Sequence, residues 1–528
     1  MPVTANVFTL SDALVNELVE LQPVTATMVG IPGHDDEWDD YSLEGCDRLE
    51  ALLRATSERL RGLPAPSAAW ETLARDVMEE FLHKELDVFR HQDHLLALNS
   101  IESPFQNIRQ VFDVMDKSTP AGWEHMATRL EKMEQATWSY QARLESARRV
   151  GHVVARRQVQ TAIEQGRVNA GPRSSFNDLV TACPPAQRGR MEKAAAHACK
   201  SYQELGDYLE RVYLPHAVAE DAVGRERYER SAGRFLGARL DADEAYRWGW
   251  DEVHRIEAEM TRLAKLIDAD KSLSQVIAVL REDPAHASPS QSAFIEVMLA
   301  RQNQAMSDLS GTHFDIPDQI RQVTVQMAPP GGPLGAYYIP PTEDFSRAGS
   351  IWYSVGDHEH VPLFDQISTA YHEGFPGHHL QCGIQVALAD KLSRLHRLFV
   401  WYPGYGEGWA LYTERLMHEL GYFEKPEYEL GMWACQLMRA CRVVVDIGCH
   451  LKLPIPPGES FHPGEVWGYD LAVAFLHERG GLALDRSVSE VVRYLGWPGQ
   501  AICYKLGERA ILALRDELKQ RPGFNLKD

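Results

Sequence analysis

Residues 369–382 read TAYHEGFPGHHLQC, so His372, Glu373, His378 and His379 fall within one short run. In an H-E-x-x-H helix two imidazoles one turn apart bind a zinc ion and the intervening Glu acts on water. Here Gly374, Phe375, Pro376 and Gly377 separate Glu373 from His378, which places His378 six positions after His372. Six residues of regular helix turn roughly 600°, which leaves the two imidazoles on different faces. Pro376 resolves this. It has no N–H to give to residue 372 and clashes with that carbonyl, so the helix must bulge or break, and the two glycines permit it. His379 competes as ligand: seven residues restore the face but separate the rings by about two turns, roughly 10 Å. His378 is the preferred ligand, with His379 as its support or as a substrate contact. The plain alternative is a His-rich helix start beside a core.

A third ligand is expected from a following helix, where Tyr402–Glu414 (YPGYGEGWALYTE) supplies Glu407. An acid at the start of so apolar a helix is expected to be buried, and a buried carboxylate needs a cation. Glu414, two turns later, is read as holding a ligand imidazole or as exposed. Two imidazoles and one carboxylate leave a fourth position for water, whose pKa zinc lowers toward ~7. Glu373 is then the general base that takes the water proton and returns it to a leaving amine. Manganese or cobalt also suits such an N/O donor set.

The strings HEGFPGHHLQ, GEGWALYTE and RYLGWPGQAICYKLGE, in this order, resemble the bacterial DUF885 family of zincin-like metallopeptidases, which in turn resembles the helical gluzincins. The resemblance covers most of the chain. It implies His372, His378 and Glu407 as zinc ligands and Glu373 as base. Gluzincins commonly use a Tyr from a late helix to steady the oxyanion, which points to Tyr504, with Tyr494 as second choice. Arg493 and Lys505 are candidates for a substrate carboxylate. Tyr337, Tyr338 and Arg347 are candidates to line a sheet edge where an extended substrate adds by backbone hydrogen bonds.

The elements that must position these residues are mostly helices. Leu43–Leu63, Ala69–Leu98, Ala121–Glu164, Pro185–Tyr213 and Asp241–Ala269 carry apolar residues at three/four spacing. Near residue 318 the texture changes. Gln319–Met327, Ala336–Pro341 and Ser350–Val355 read as strands, and helical patterns return from Phe364. The expected fold is therefore mainly α, a large helical, zincin-like body around a deep cleft with one small β-sheet beside the metal helix. A helical region over 1–310 and a catalytic region over 311–528 are expected, or one continuous body. Arg442, Asp446 and His450 recur every four residues on an apolar helix, which favours a buried ion-pair network over a cleft wall. His358, His360 and His462 fall in loops, where histidines are usually solvated.

Over 528 residues, 54 Lys+Arg stand against 75 Asp+Glu, a net charge of −21 that supplies no basic field for nucleic acid. Eight cysteines without a C-x-x-C pair fit a reducing compartment. The N-terminus lacks a basic, then apolar leader pattern and reads as a helix capped at Ser11, and no window is apolar for long enough to span a membrane. A soluble, cytoplasmic hydrolase of short peptides is expected, with no nucleic-acid or membrane partner. A non-peptide amide as substrate, or a metal-stabilised binding protein, is the alternative. A serine hydrolase is disfavoured by the lack of a G-x-S-x-G elbow.

Overall fold

The computed structural model describes residues 6–328, 335–356 and 360–527; His358 lies outside them. The chain is mainly helical, as the periodicity predicts, and falls into two compact units. The first unit comprises Met1–Asp221 and Leu388–Val400, the second Ala222–Ala387 and Trp401–Asp528. Neither unit begins or ends near residue 310. Helix Gln291–Leu309 buries Phe294, Met298, Ala305 and Met306 in the same core as the strands and the His372 segment, so it belongs with the second unit.

In the first unit, helix Arg188–Tyr208 buries Met191, Ala195, Ala198, Tyr202 and Leu205 along one stripe in a core with Phe105, Phe112, Tyr140 and Phe176. Its N-terminal helix runs Val7–Leu21 and is capped by Asn6, not Ser11. Ser11 is fully buried instead, where its hydroxyl accepts the N–H of Leu395 at 2.8 Å. No helix among the described residues is long and apolar enough to cross a membrane.

In the second unit the two longest helices, Ala242–Ile267 and Pro426–Leu451, pack along each other. Gly249 allows the approach, because a Cβ there would press on Val443 and Val444. The expected sheet has three strands: Ser350–Ser354 lies between Thr324–Met327, parallel to it, and Gly335–Ile339, antiparallel. Ile351 and Tyr353 face the core, whereas Trp352 pairs across the strands with Tyr337, their rings stacked at 6.2 Å. A second ladder, Ala287–Ser288 with Val361–Pro362, was not legible at two residues per strand.

Buried charges tie these helices together. The Lys505 ammonium, on helix Cys503–Leu518, donates to Glu252 at 2.8 Å, to Glu508 at 2.5 Å and to Gln436 at 2.6 Å. All three of its N–H groups are used and Lys505 is 1% exposed, so the expectation that it meets a substrate carboxylate is corrected. Arg493 is corrected likewise: its guanidinium donates to Glu490 and Gln500 inside the core. The Arg442/Asp446/His450 stripe is a buried network. Arg442 donates to Tyr494 Oη and Glu490, Asp446 accepts from Tyr228 Oη and the Gly499 N–H, and His450 donates to the Tyr494 carbonyl.

Burial acts to raise the Glu252 carboxyl, but Arg255 and Lys505 outweigh it and hold it at about 2, below the ordinary 4.5. That stabilisation is present above pH 4.5 and is lost as pH falls toward 2. Lys505→Met is therefore expected to cost about 3–5 kcal/mol at pH 7, because it strands buried carboxylates. In urea titrations the gap between the variant and the natural protein should narrow as the pH is lowered toward 2, where Glu252 takes up a proton and its attraction to Lys505 is lost.

Candidate metal centre

The His-Glu helix, Gln366–Glu373, ends at Glu373, and a new helix, His378–Ala387, begins at His378. Pro376 and its two glycines thus produce a full break. The backbone groups of the break are satisfied one by one. Gly374 N–H bonds the Ala370 carbonyl, Phe375 N–H bonds the Gln302 side-chain oxygen at 2.6 Å, and Trp409 Nε1 donates to the Pro376 carbonyl at 2.9 Å. Gln302 also donates to the Ala370 carbonyl at 2.8 Å, so one buried amide pins both sides of the interruption. A Cβ at Gly374 would overlap that amide, and one at Gly377 would overlap the carbonyls of Tyr371 and His372. Only glycine fits at either place.

The consequence is convergence. His372 and His378 face each other edge to face with ring centroids 5.0 Å apart. The Nε2 atoms of His372 and His378 each lie 3.3 Å from Glu407 Oε2. The three candidate ligand atoms all lie within 4.8 Å of one another. Zinc bonds of about 2.0–2.1 Å in tetrahedral array separate neighbouring ligand atoms by about 3.3 Å. The two N···O separations match that edge, so this set can hold a divalent ion.

Glu407 sits near the start of helix Pro403–Glu419, between Gly406 and Gly408. The glycines set distances rather than turns. A Cβ at Gly408 would strike the Gly507 backbone, and one at Gly507 would strike the Gly404 carbonyl, so this helix and Cys503–Leu518 touch backbone to backbone. That contact brings Tyr504 to the cluster, its ring stacked on His372 at 6.2 Å and 16°. Arg442 lies 4.7 Å and Arg439 5.5 Å from the same ring, a cation–π arrangement that fixes its plane.

Behind the cluster, Glu414 accepts from His372 Nδ1 at 2.8 Å and from the Ser368 hydroxyl, and Arg439 lies 3.8 Å from it. Nδ1 therefore carries the hydrogen and Nε2 points forward, the orientation a metal ligand needs. Burial acts to lower His372, yet Glu407 and Glu414 outweigh it and raise it to about 9. Burial would raise Glu407, but His378 and His372 hold it well below the usual carboxylate range. The negative charge that draws a proton here draws a divalent cation equally.

Glu373 is buried beside these groups, and among the described residues its carboxylate makes no hydrogen bond. It lies within electrostatic reach of the Tyr353 phenol and the Cys382 thiol. His379 points away from the cluster: Nε2 donates to the Ile320 carbonyl at 2.8 Å and Nδ1 accepts from Tyr338 Oη at 2.9 Å. Burial pushes it down to about 4, so it stays neutral. Both nitrogens are used, which removes His379 as ligand and as substrate contact and leaves it as the tie between the His378 helix and strand Gly335–Ile339. Arg347 lies on the loop beside that tie. His462 is an exposed loop residue paired with Glu465, and His360 is exposed.

Sequence reasoning missed Ser368, Arg439 and Gln302. Ser368 stands one turn before His372, and Arg439 extends the Arg442 stripe by a turn, so both carried a spacing signal. Gln302 carried none, because its contacts are made across 68 and 73 residues of sequence.

The chain belongs to the DUF885 family, described as bacterial proteins of unknown function, whose profile matches residues 23–528. The fold is similar to that of a "putative lipoprotein" from Colwellia psychrerythraea, with TM-score 0.86 and 24% identity over 99% of this chain and 94% of that one. It is also similar to a "putative lipoprotein of unknown function" from Shewanella oneidensis, with TM-score 0.72 and 17% identity over 99% and 95%. None of the curated proteins is significantly similar to the chain.

The glycine contact gives a direct test. Gly507→Ala is expected to destabilise the fold by about 2–3 kcal/mol in urea titrations, because backbone must move. Gly206→Ala, in a helix where nothing lies within 4 Å of the added carbon, should stabilise by up to about 1 kcal/mol.

Proposed function

We propose that this chain is a zinc-dependent hydrolase that cleaves an amide bond in short peptides, with His372, His378 and Glu407 as the ligands. The observation that carries the reading is the meeting of three donor atoms within 4.8 Å next to a buried Glu whose carboxylate makes no hydrogen bond among the described residues. A structural zinc site is usually closed by four protein ligands and has no use for such a Glu. Manganese or cobalt fits the same donors.

A divalent ion held here supplies Lewis acidity, polarising the scissile carbonyl and making water a nucleophile near neutral pH. The chain's own groups do the rest. Glu373 takes the proton of the attacking water and returns it to the leaving nitrogen. Tyr504, fixed by its stacking on His372 and by the two guanidinium groups, offers its hydroxyl to the oxygen on which charge develops. Glu414, itself held by Ser368 and Arg439, keeps the His372 ring from turning. Strand Gly335–Ile339 has no partner strand on its outer side among the described residues, and an extended substrate backbone can add to that edge. The eight cysteines form no disulfide among the described residues, which supports a reducing, cytoplasmic location.

Metal analysis, with peptide hydrolysis measured before and after chelation, tests the reading directly. Glu373→Gln should keep its metal and lose nearly all turnover; near-natural rates in that variant would remove Glu373 as base. Tyr504→Phe should lower kcat by about 10–1000-fold at unchanged zinc content. Glu414→Ala should weaken zinc binding by about 10–100-fold in chelator competition, whatever the substrate.

A further inference from the structure

Every buried or half-buried arginine around the metal centre has an acid or a ring of partners except one. Arg442 and Arg493 meet Glu490, Arg439 meets Glu414 and Arg301 meets Glu424. Arg347 meets no carboxylate among the described residues. Its one hydrogen bond is a long one, 3.5 Å from Nη2 to the Pro340 carbonyl, and its Nε is buried without any acceptor. A guanidinium drawn from water with an N–H unsatisfied is costly, and a fold keeps one where a ligand completes it.

The loop that carries Arg347 is built. Thr342 N–H bonds the Arg347 carbonyl at 3.2 Å, and the Arg347 N–H bonds the Thr342 hydroxyl at 3.1 Å, which closes the turn around Asp344. Two residues on, Gly349 lies against the junction of Tyr338 Oη with His379 Nδ1, where a Cβ would overlap the phenol oxygen. The Arg347 charge also acts on the Tyr338 phenol. His379 adjoins the candidate ligand His378 in sequence, so this loop, which follows the end of strand Gly335–Ile339, packs against the helix that carries His378.

We infer that Arg347 binds a carboxylate of the substrate, through the N–H groups of its guanidinium as a two-pronged donor. The inference rests on the hydrolase reading for the word substrate, and on Arg347 alone for the word carboxylate. The fork of an arginine matches a carboxylate and is poorly replaced by a point charge. The carboxylate is the free end of a short peptide or an acidic side chain, and the two give different results below.

Four peptides sharing one scissile bond separate the possibilities: a free C-terminal acid, its amide, the amide with a Glu side chain added, and that same peptide with Gln. The natural protein should favour a carboxylate-bearing peptide by about 10–100-fold in kcat/KM, the range for a charge-assisted hydrogen-bond pair. Preference for the free acid over its amide assigns the peptide end; preference for Glu over Gln assigns a side chain. Arg347→Gln should remove that preference, while Arg347→Lys should recover part of it. Calorimetry on the metal-free protein with N-acetylglycine and N-acetylglycinamide gives a readout apart from turnover. Binding of the acid alone, abolished by Arg347→Gln, supports the site even if no peptide is cleaved, in which case the hydrolase reading falls by itself. Equal handling of acid and amide, or binding untouched in Arg347→Gln, overturns the inference.

Discussion

Where His378 points is decided by a four-residue interruption that a helix cannot tolerate unaided. Gly374–Gly377 removes helical hydrogen bonds that must be replaced inside a core, and Gln302 and Trp409 replace them. Were the break closed into continuous helix, His378 would rotate away from His372 and Glu407 would stand beside one imidazole, as a salt bridge with no further use. The close approach of two glycine-bearing helices would then serve nothing, because its product is the placing of Tyr504 against His372. Backbone interruption and backbone contact are two halves of one geometric requirement. Both are met by residues without side chains.

Charge follows from that geometry. Glu407 and Glu414 approach His372 from its two nitrogens, and Ser368 and Arg439 hold the rear carboxylate. Fixing one nitrogen of the imidazole leaves the other directed forward, toward Glu407. Farther back, the Lys505 and Glu490 clusters lock helices Ala242–Ile267, Pro426–Leu451, Leu484–Gly496 and Cys503–Leu518 to one another. Rigid supports of this kind let a cluster of like charges persist without an inward collapse.

The meeting of His372, His378 and Glu407 was readable because its signals are local: an interrupted His-Glu…His run and an acid framed by glycines on an apolar helix. The three-strand sheet was readable from alternation. Lys505 and Arg493 were misread because type and motif do not show burial; both lie in the RYLGWPGQAICYKLGE string yet turn into the core, where Glu252, Glu490 and Gln436 from other helices await them. His379 was misread for a similar reason. Its partners, Ile320 and Tyr338, come from the sheet region some forty to sixty residues earlier. The two-unit division was hidden because helices look alike in sequence wherever they pack, and Leu388–Val400 joins the first unit from within the second unit's stretch of chain.

What distinguishes a structural ion from a functional one in this protein is completeness. Lys505 has as many partners as donors, and nothing added from outside improves its state. Glu373 and Arg347 are the reverse: the Glu373 carboxylate makes no hydrogen bond among the described residues, and the Arg347 Nε is buried without an acceptor. Glu373 stands at the end of the His372 helix, beside the break pinned by Gln302, and Arg347 lies on the loop closed by Thr342. Bonding capacity left open in this way has a cost in folding that a bound ligand would offset.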